Sequence, residues 1–234
     1  MLEICKAQFD NPPRRAHSPG MRIATGANRV SASRSVRVAL WCMGCAIVPG
    51  MAPAADAQTP TRAQQLAAAV LPLPPALRAG AGVVRLDAHG HPEEWRAARN
   101  GMVCLADEPG DSLFDVRCYH ASFIPLLYRA RQLAAAGIPD SSLDATLDRE
   151  IHSGQLRLPD GPTAGYRMLG PVSGFDWATL TAGDAIDAWQ SIHMPYRTAE
   201  QLGLPPAENG IHPYVMSSGT WWSHVMIMER ALRY

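Results

Sequence analysis

Several short runs in which apolar and polar residues alternate follow residue 75, and this period-two pattern predicts β-strands. The runs occupy residues 82–87, 94–97, 102–106 and 114–119. Turn-forming residues (Gly, Pro, Asp and His) separate them, which favours antiparallel pairing between consecutive strands. The first half of this region is therefore predicted to form a sheet of hairpins.

Two segments have the period of amphipathic helices instead. The first helix is predicted over residues 122–136, capped by Ser122 and stopped by a following Gly and Pro. The second is predicted over residues 142–153, where Ser141 and Asp144 form a near capping box. Each helix has its apolar residues on one face.

The last third of the chain consists of shorter apolar pieces broken by Gly and Pro. Residues 166–169 and 192–196 are predicted strands, although residues 184–193 also fit an amphipathic helix. Residues 198–202 are predicted to form a helical turn. Residues 221–228 are apolar on both faces, which is typical of a central strand.

Together these elements predict an α+β fold: one domain over residues 76–234, with a mainly antiparallel sheet and two or three helices. The Ala/Gln-rich stretch before it, ending in the proline run at 72–75, fits a short helix or a flexible lead-in over residues 58–75.

Residues 1–57 have the organisation of a secretory leader. Seven basic side chains against three carboxylates give this segment a net charge of +4, and an apolar stretch follows at 38–48. An Ala-Asp-Ala sequence ending at Ala57 resembles a signal-peptidase site. The pattern predicts export to the periplasm or the medium, with Met21 as the alternative start and a lipid anchor at Cys45 as the minor alternative.

Removal of the leader changes the net charge of the chain. The chain has 21 basic and 21 acidic residues, but residues 58–234 alone carry a net charge of −4. This balance argues against a nucleic-acid partner. No apolar run in residues 58–234 is long enough for a membrane span, and no glycine-rich phosphate or dinucleotide loop opens a helix, so no cofactor is expected.

Two cysteines remain after cleavage, Cys104 and Cys118. An even pair in an exported chain predicts a disulfide. Phe114, Val116 and Cys118 share one face of their strand, so a hairpin places Cys118 opposite Cys104 on the apolar side. Two unpaired buried thiols are the alternative. A redox-active pair is disfavoured because residues 58–234 contain no C-x-x-C motif.

The string Asp87-Ala88-His89-Gly90-His91 is the most suggestive metal-binding motif, since two imidazoles at this spacing can reach one ion. The same string with the proline after it is also a good hairpin turn, which would leave both histidines in solvent. The turn interpretation is preferred, so no metal site is predicted.

His120 and His224 are the candidate catalytic residues. His120 lies where a strand meets a helix, a position suited to a general base or a metal ligand. His224 lies on an apolar strand face, where a lone histidine is more often a core residue with its hydrogen bonds satisfied. A zinc site would require His120, His193 and His224 to converge, which their spacing does not indicate. Trp221 and its neighbour Trp222 are expected to point to opposite faces.

Seven short motifs resemble a group of uncharacterised exported bacterial proteins with no assigned activity. They lie at residues 100–107 (NGMVCLAD), 118–120 (CYH), 150–151 (EI), 195–200 (PYRTAE), 203–205 (GLP), 218–221 (SGTW) and 223–227 (SHVMI). The resemblance covers most of the chain after residue 75. It implies a plain strand-turn-strand at residues 87–90 and supplies no catalytic residues.

The expected function is therefore that of an exported globular protein that binds a small ligand or a protein partner. The alternative is a hydrolase or metal-dependent enzyme that uses His120 and His224.

Overall fold

The computed structural model describes residues 59–205 and 212–228. The strands of this part are β1 (Gly82–Leu86), β2 (Pro92–Arg96), β3 (Met102–Leu105), β4 (Leu113–His120), β5 (Thr163–Pro171), β6 (Phe175–Asp176), β7 (Thr181–Ala182), β8 (Asp187–His193), β9 (Tyr214–Met216) and β10 (His224–Met228). Its helices are α1 (Arg62–Ala69), α2 (Pro75–Arg78), α3 (Ile124–Ala135), α4 (Asp140–His152) and α5 (Ala199–Leu202).

Eight of these strands form one sheet in the order β2-β1-β3-β4-β5-β8-β10-β9, while β6 and β7 pair separately. Every neighbouring pair in the large sheet is antiparallel except β1 and β3. The exception arises because β2 turns back along the outer side of β1, which leaves the inner side for β3. The predicted α+β fold with a mainly antiparallel sheet is confirmed.

The two faces of the sheet are covered differently. The α3 face carries Tyr119, and its apolar contacts with α3 and α4 come from β1, β3 and β4. The α1 face carries Cys104 and Cys118, which pack against the end of α1 and the fully buried Leu73. Because β4 lies mid-sheet, it is buried on both faces. Burial of apolar surface is the main contribution to the stability of a fold.

Cys104 and Cys118 lie directly opposite each other on β3 and β4 and form a disulfide. The predicted pairing is confirmed, since the hairpin turn sets the register that brings the two sulfurs together. The lead-in is more ordered than its composition suggests: Thr61 and Gln64 form a capping box that starts α1. With Leu73 fully buried, this stretch belongs to the core.

Both predicted helix caps are wrong. α3 begins at Ile124 after a 3₁₀ turn (Ala121–Phe123), and the backbone N–H of Ser122 donates to the side chain of His120 instead of Ser122 capping the helix. α4 begins at Asp140, directly after Pro139, with no side-chain cap. Pro139 is the cap residue and has an extended backbone (φ −60°, ψ 145°), so the helix starts before Ser141.

Two strand boundaries also differ from the prediction. Residues 187–193 form strand β8, so the alternative helix over residues 184–193 is wrong, and the strand ends before residues 194–196. β10 begins at His224, because Trp221 and Trp222 lie in a turn closed by the Ser223 N–H donating to the Thr220 carbonyl.

Predictions about residues 1–57, including the leader and the anchor at Cys45, lie outside the described residues. No helix within residues 59–205 and 212–228 is long and apolar enough to cross a bilayer.

Candidate functional site

A cleft opens on the α3 face where the helices do not reach, over β5, β8, β9 and β10. The space inside it that a water-sized molecule can enter is about 80 Å³, and the cleft opens to solvent beyond that. Aromatic and thioether side chains form most of its lining, including Trp189, Trp222, Tyr214, Met216 and Met226. The cleft is therefore apolar while remaining open to solvent.

Two histidines lie side by side in this cleft. His193 at the end of β8 is paired in register with His224 at the start of β10. Their rings stack with centroids 4.9 Å apart and an angle of 28° between the planes. His193 is 1% exposed and His224 6% exposed. Directly opposed residues on neighbouring strands point to the same face, which is why the two rings meet.

Aromatic rings enclose the pair. The ring centroid of Phe123 lies 4.4 Å from that of His193, and the Trp222 centroid lies 4.9 Å from it. Tyr119 meets His193 edge-on at 5.4 Å. Burial lowers the pKa of His193 well below its ordinary value, and neighbouring His224 adds to the effect. Burial also lowers the pKa of His224. Both imidazoles are therefore neutral at pH 7.

Two hydroxyl groups lie close to the histidine pair. Ser191, two residues before His193 on the same face, places its hydroxyl 3.0 Å from His193 Nε2. His193 Nδ1 is sealed from solvent and has no hydrogen-bond partner among the described residues. The hydroxyl of Thr163, opposite His193 on β5, is also buried and has no hydrogen-bond partner among the described residues. Buried polar atoms without partners are rare in proteins and often mark sites that bind a further group.

Gly165 makes the space that Ser191 and His193 occupy. A Cβ at this position would lie 2.6 Å from Ser191 Oγ, 2.9 Å from His193 Nε2 and 3.1 Å from Tyr119 Cδ1. These distances are shorter than van der Waals contact, so any larger residue on β5 would push the polar groups out of place. Glycine at this position therefore leaves the room that Ser191 and His193 need.

A buried charge cluster forms the other end of the cleft. Asp115 on β4 accepts hydrogen bonds from the guanidiniums of both Arg117 and Arg167. All three side chains are less than 10% exposed. Arg167 also lies over the ring of Trp189, 5.2 Å from its centroid. Both arginines are thereby held in fixed positions beside the apolar lining.

The structure separates the two histidines that the sequence singled out. His224 lies in the cleft beside His193. His120 lies at the end of β4, exposed, with Nδ1 2.8 Å from the Ser122 hydroxyl, and does not line the cleft. Trp221 and Trp222 are in contact, with ring centroids 5.3 Å apart, so the expectation of opposite faces is wrong: neither residue is in a strand.

His89 and His91 lie in an exposed turn, in which both backbone N–H groups donate to Asp87 Oδ1 at 2.8 Å. Gly90 adopts a φ of 78°, the left-handed conformation that suits glycine. In residues 59–205 and 212–228, no three His, Cys, Asp or Glu side chains lie close enough together to hold a metal ion.

The sequence pointed to His224 but did not bring it together with His193, because the two histidines come from strands about thirty residues apart. One signal was present: Asp187, Trp189, Ser191 and His193 alternate on one face of β8, which is unusual chemistry for a plain core strand. The pairing of β8 with β10, which the sequence does not show, places His193 opposite His224 and so forms the site.

Comparison with protein-family models, with curated proteins and with solved structures finds no match to this chain. The resemblance to exported bacterial proteins therefore stays a prediction, and the geometry of the cleft carries the functional argument.

Proposed function

We propose that this protein binds a small, flat, mainly apolar molecule in the cleft on the α3 face. The observation that carries the proposal is the aromatic lining of a cavity that stays open to solvent. A ligand that covers the exposed apolar surface of a concave site removes that surface from water, which is favourable. Ring ligands also stack well on Trp and Tyr.

The polar groups at the floor support the same proposal. Ligand sites combine apolar walls with a few fixed polar atoms that orient the bound molecule. Ser191 and His224 supply such atoms, and the packing of His193 and the surrounding rings holds them in place. Packing of this kind provides pre-organisation, which lowers the entropy cost of binding.

We also propose that the protein acts outside the cytoplasm. The leader sequence predicts export, and the Cys104–Cys118 disulfide is typical of an oxidising compartment. N-terminal sequencing of exported material tests this: the chain should begin at Gln58. Recovery of an uncleaved chain from the cytoplasm would contradict the proposal.

A titration of the full protein with naphthalene, followed through tryptophan fluorescence, tests the binding proposal, because Trp189 and Trp222 line the cleft. We expect saturable binding with a dissociation constant in the micromolar range. Met216→Trp, which fills the cleft, should weaken binding at least tenfold. Met194→Trp is the matched control outside the cleft and should bind normally. Binding that is unaffected by Met216→Trp would place the ligand elsewhere.

A hydrolytic function is the second candidate, on one observation: the Ser191 hydroxyl lies within hydrogen-bond distance of His193. Binding is preferred because, among the residues that the structure describes, Nδ1 of His193 lacks the carboxylate partner that orients the base in serine hydrolases. Hydrolysis of a p-nitrophenyl ester by the wild-type protein, abolished in Ser191→Ala, would replace the binding proposal with this one.

A further inference from the structure

The protonation of His224 is fixed by its hydrogen bond to the backbone. Its Nδ1 lies 2.7 Å from the carbonyl oxygen of Trp222. A carbonyl oxygen only accepts hydrogen bonds, so Nδ1 must carry the hydrogen. In a neutral imidazole the other nitrogen, Nε2, then holds a lone pair and accepts a hydrogen bond.

The surroundings of His224 keep the ring neutral. It is stacked on His193 and meets the ring of Trp222 at a centroid distance of 5.6 Å. Burial lowers the pKa of His224, which disfavours the charged form. The side chain lines the cleft, and its Nε2 is not among the polar atoms sealed from solvent, so Nε2 can offer an acceptor to a molecule bound there.

The polar groups near His224 do not change its need for a ligand group that donates a hydrogen bond. The Ser191 hydroxyl is hydrogen-bonded to His193. The guanidiniums of Arg117 and Arg167 both bind Asp115, at the other end of the cleft. A carboxylate placed against Nε2 would bring two lone pairs together, which is unfavourable in an apolar site. A group with an O–H would satisfy the imidazole instead.

We propose that the cleft selects neutral aromatic molecules that carry a hydroxyl, with the phenol-type O–H donating to Nε2 of His224. This inference rests on the proposed binding function and specifies its ligand class. The ring of the ligand stacks among Trp189, Trp222 and the two methionines of the lining, and the hydroxyl sets its orientation. A site that hydrogen-bonds a ligand hydroxyl discriminates strongly against analogues that lack the donor.

Three naphthalene derivatives test the inference on the full wild-type protein at pH 7.5: 2-naphthol, 2-methoxynaphthalene and 2-naphthoate. The first carries a donor, the second blocks it with a methyl group, and the third is an anion without a donor. We expect 2-naphthol to bind about tenfold more tightly than the other two. Equal binding of naphthol and methoxynaphthalene, or tighter binding of naphthoate, would overturn the inference while leaving the binding function intact.

A pair of variants assigns the preference to one histidine. His224→Phe keeps an aromatic ring against His193 but removes the acceptor, so the preference for 2-naphthol over 2-methoxynaphthalene should disappear with methoxynaphthalene affinity unchanged. His120→Phe, outside the cleft, should keep the preference. A preference that persists in His224→Phe would contradict the inference. If this variant fails to fold, as circular dichroism would show, the wild-type series decides alone. Failure of all three compounds to bind would instead contradict the proposed function.

Discussion

Replacing Asp115 by Asn should destabilise the protein strongly, since this one carboxylate accepts hydrogen bonds from two buried guanidiniums and offsets one of their two charges. Arg117 donates to it from Nε and Nη2, and Arg167 donates from the same two atoms at 2.9 Å each. An amide keeps the shape of the side chain but carries no charge, and its NH₂ group would face an arginine N–H. Both Arg117 and Arg167 would keep their charge in a site less than 10% exposed.

Removing one partner of a buried ion pair costs about 3–5 kcal/mol, because the remaining charge is left desolvated. We expect Asp115→Asn to lower the free energy of unfolding by this amount, measured by urea denaturation at pH 7. Asp160→Asn, at an exposed position, is the control and should change stability by less than about 0.5 kcal/mol.

The pH dependence provides an independent check. Burial alone raises the pKa of Asp115, but the charges of Arg117 and Arg167 outweigh it and hold the pKa well below its ordinary value. The stabilisation is therefore complete above the pKa of about 3.9 in the unfolded chain and is lost as the pH falls below it. The stability gap between wild type and Asp115→Asn should narrow below about pH 4. A loss under 1 kcal/mol, or a gap constant down to pH 2, would refute this account of the cluster.

Three further predictions concern the core of the site and the hairpin. Gly165→Ala should lower the urea midpoint, at a cost of about 1–3 kcal/mol, whereas Gly161→Ala, with no atom within 4 Å of the added methyl, should not. Replacing Cys104 and Cys118 together by Ala should cost about 3 kcal/mol of unfolding free energy for a loop of this length, so an unchanged midpoint would show that the bridge adds no stability. The free energy of unfolding of the wild type should fall as the pH drops below about 6.5, because burial lowers the pKa of His193 in the fold while the unfolded chain protonates this residue freely. In His193→Phe this fall should be smaller. A variant with the same pH profile as the wild type would contradict the prediction.

Local patterns predicted those parts of the fold that depend on neighbouring residues. The alternation in residues 114–119 and the turn before it determine the β3–β4 register, and the register alone brings Cys104 opposite Cys118. Helix starts were less predictable. Ser122 and Ser141 have the right chemistry for caps, but a 3₁₀ turn and Pro139 decide where the backbone enters the helix.

The site could not be predicted in the same way, because it depends on a pairing between distant strands. The sequence favoured His120 over His193 because His120 sits at a strand–helix junction, where functional residues are common. The structure places His193 opposite His224 only because β8 and β10 are neighbours in the sheet. A one-residue shift of that register would turn one imidazole to the α1 face, where neither the aromatic lining nor Ser191 would meet it. The function proposed here therefore depends on strand register, and a variant that shifts β10 should lose binding even if its core stays apolar.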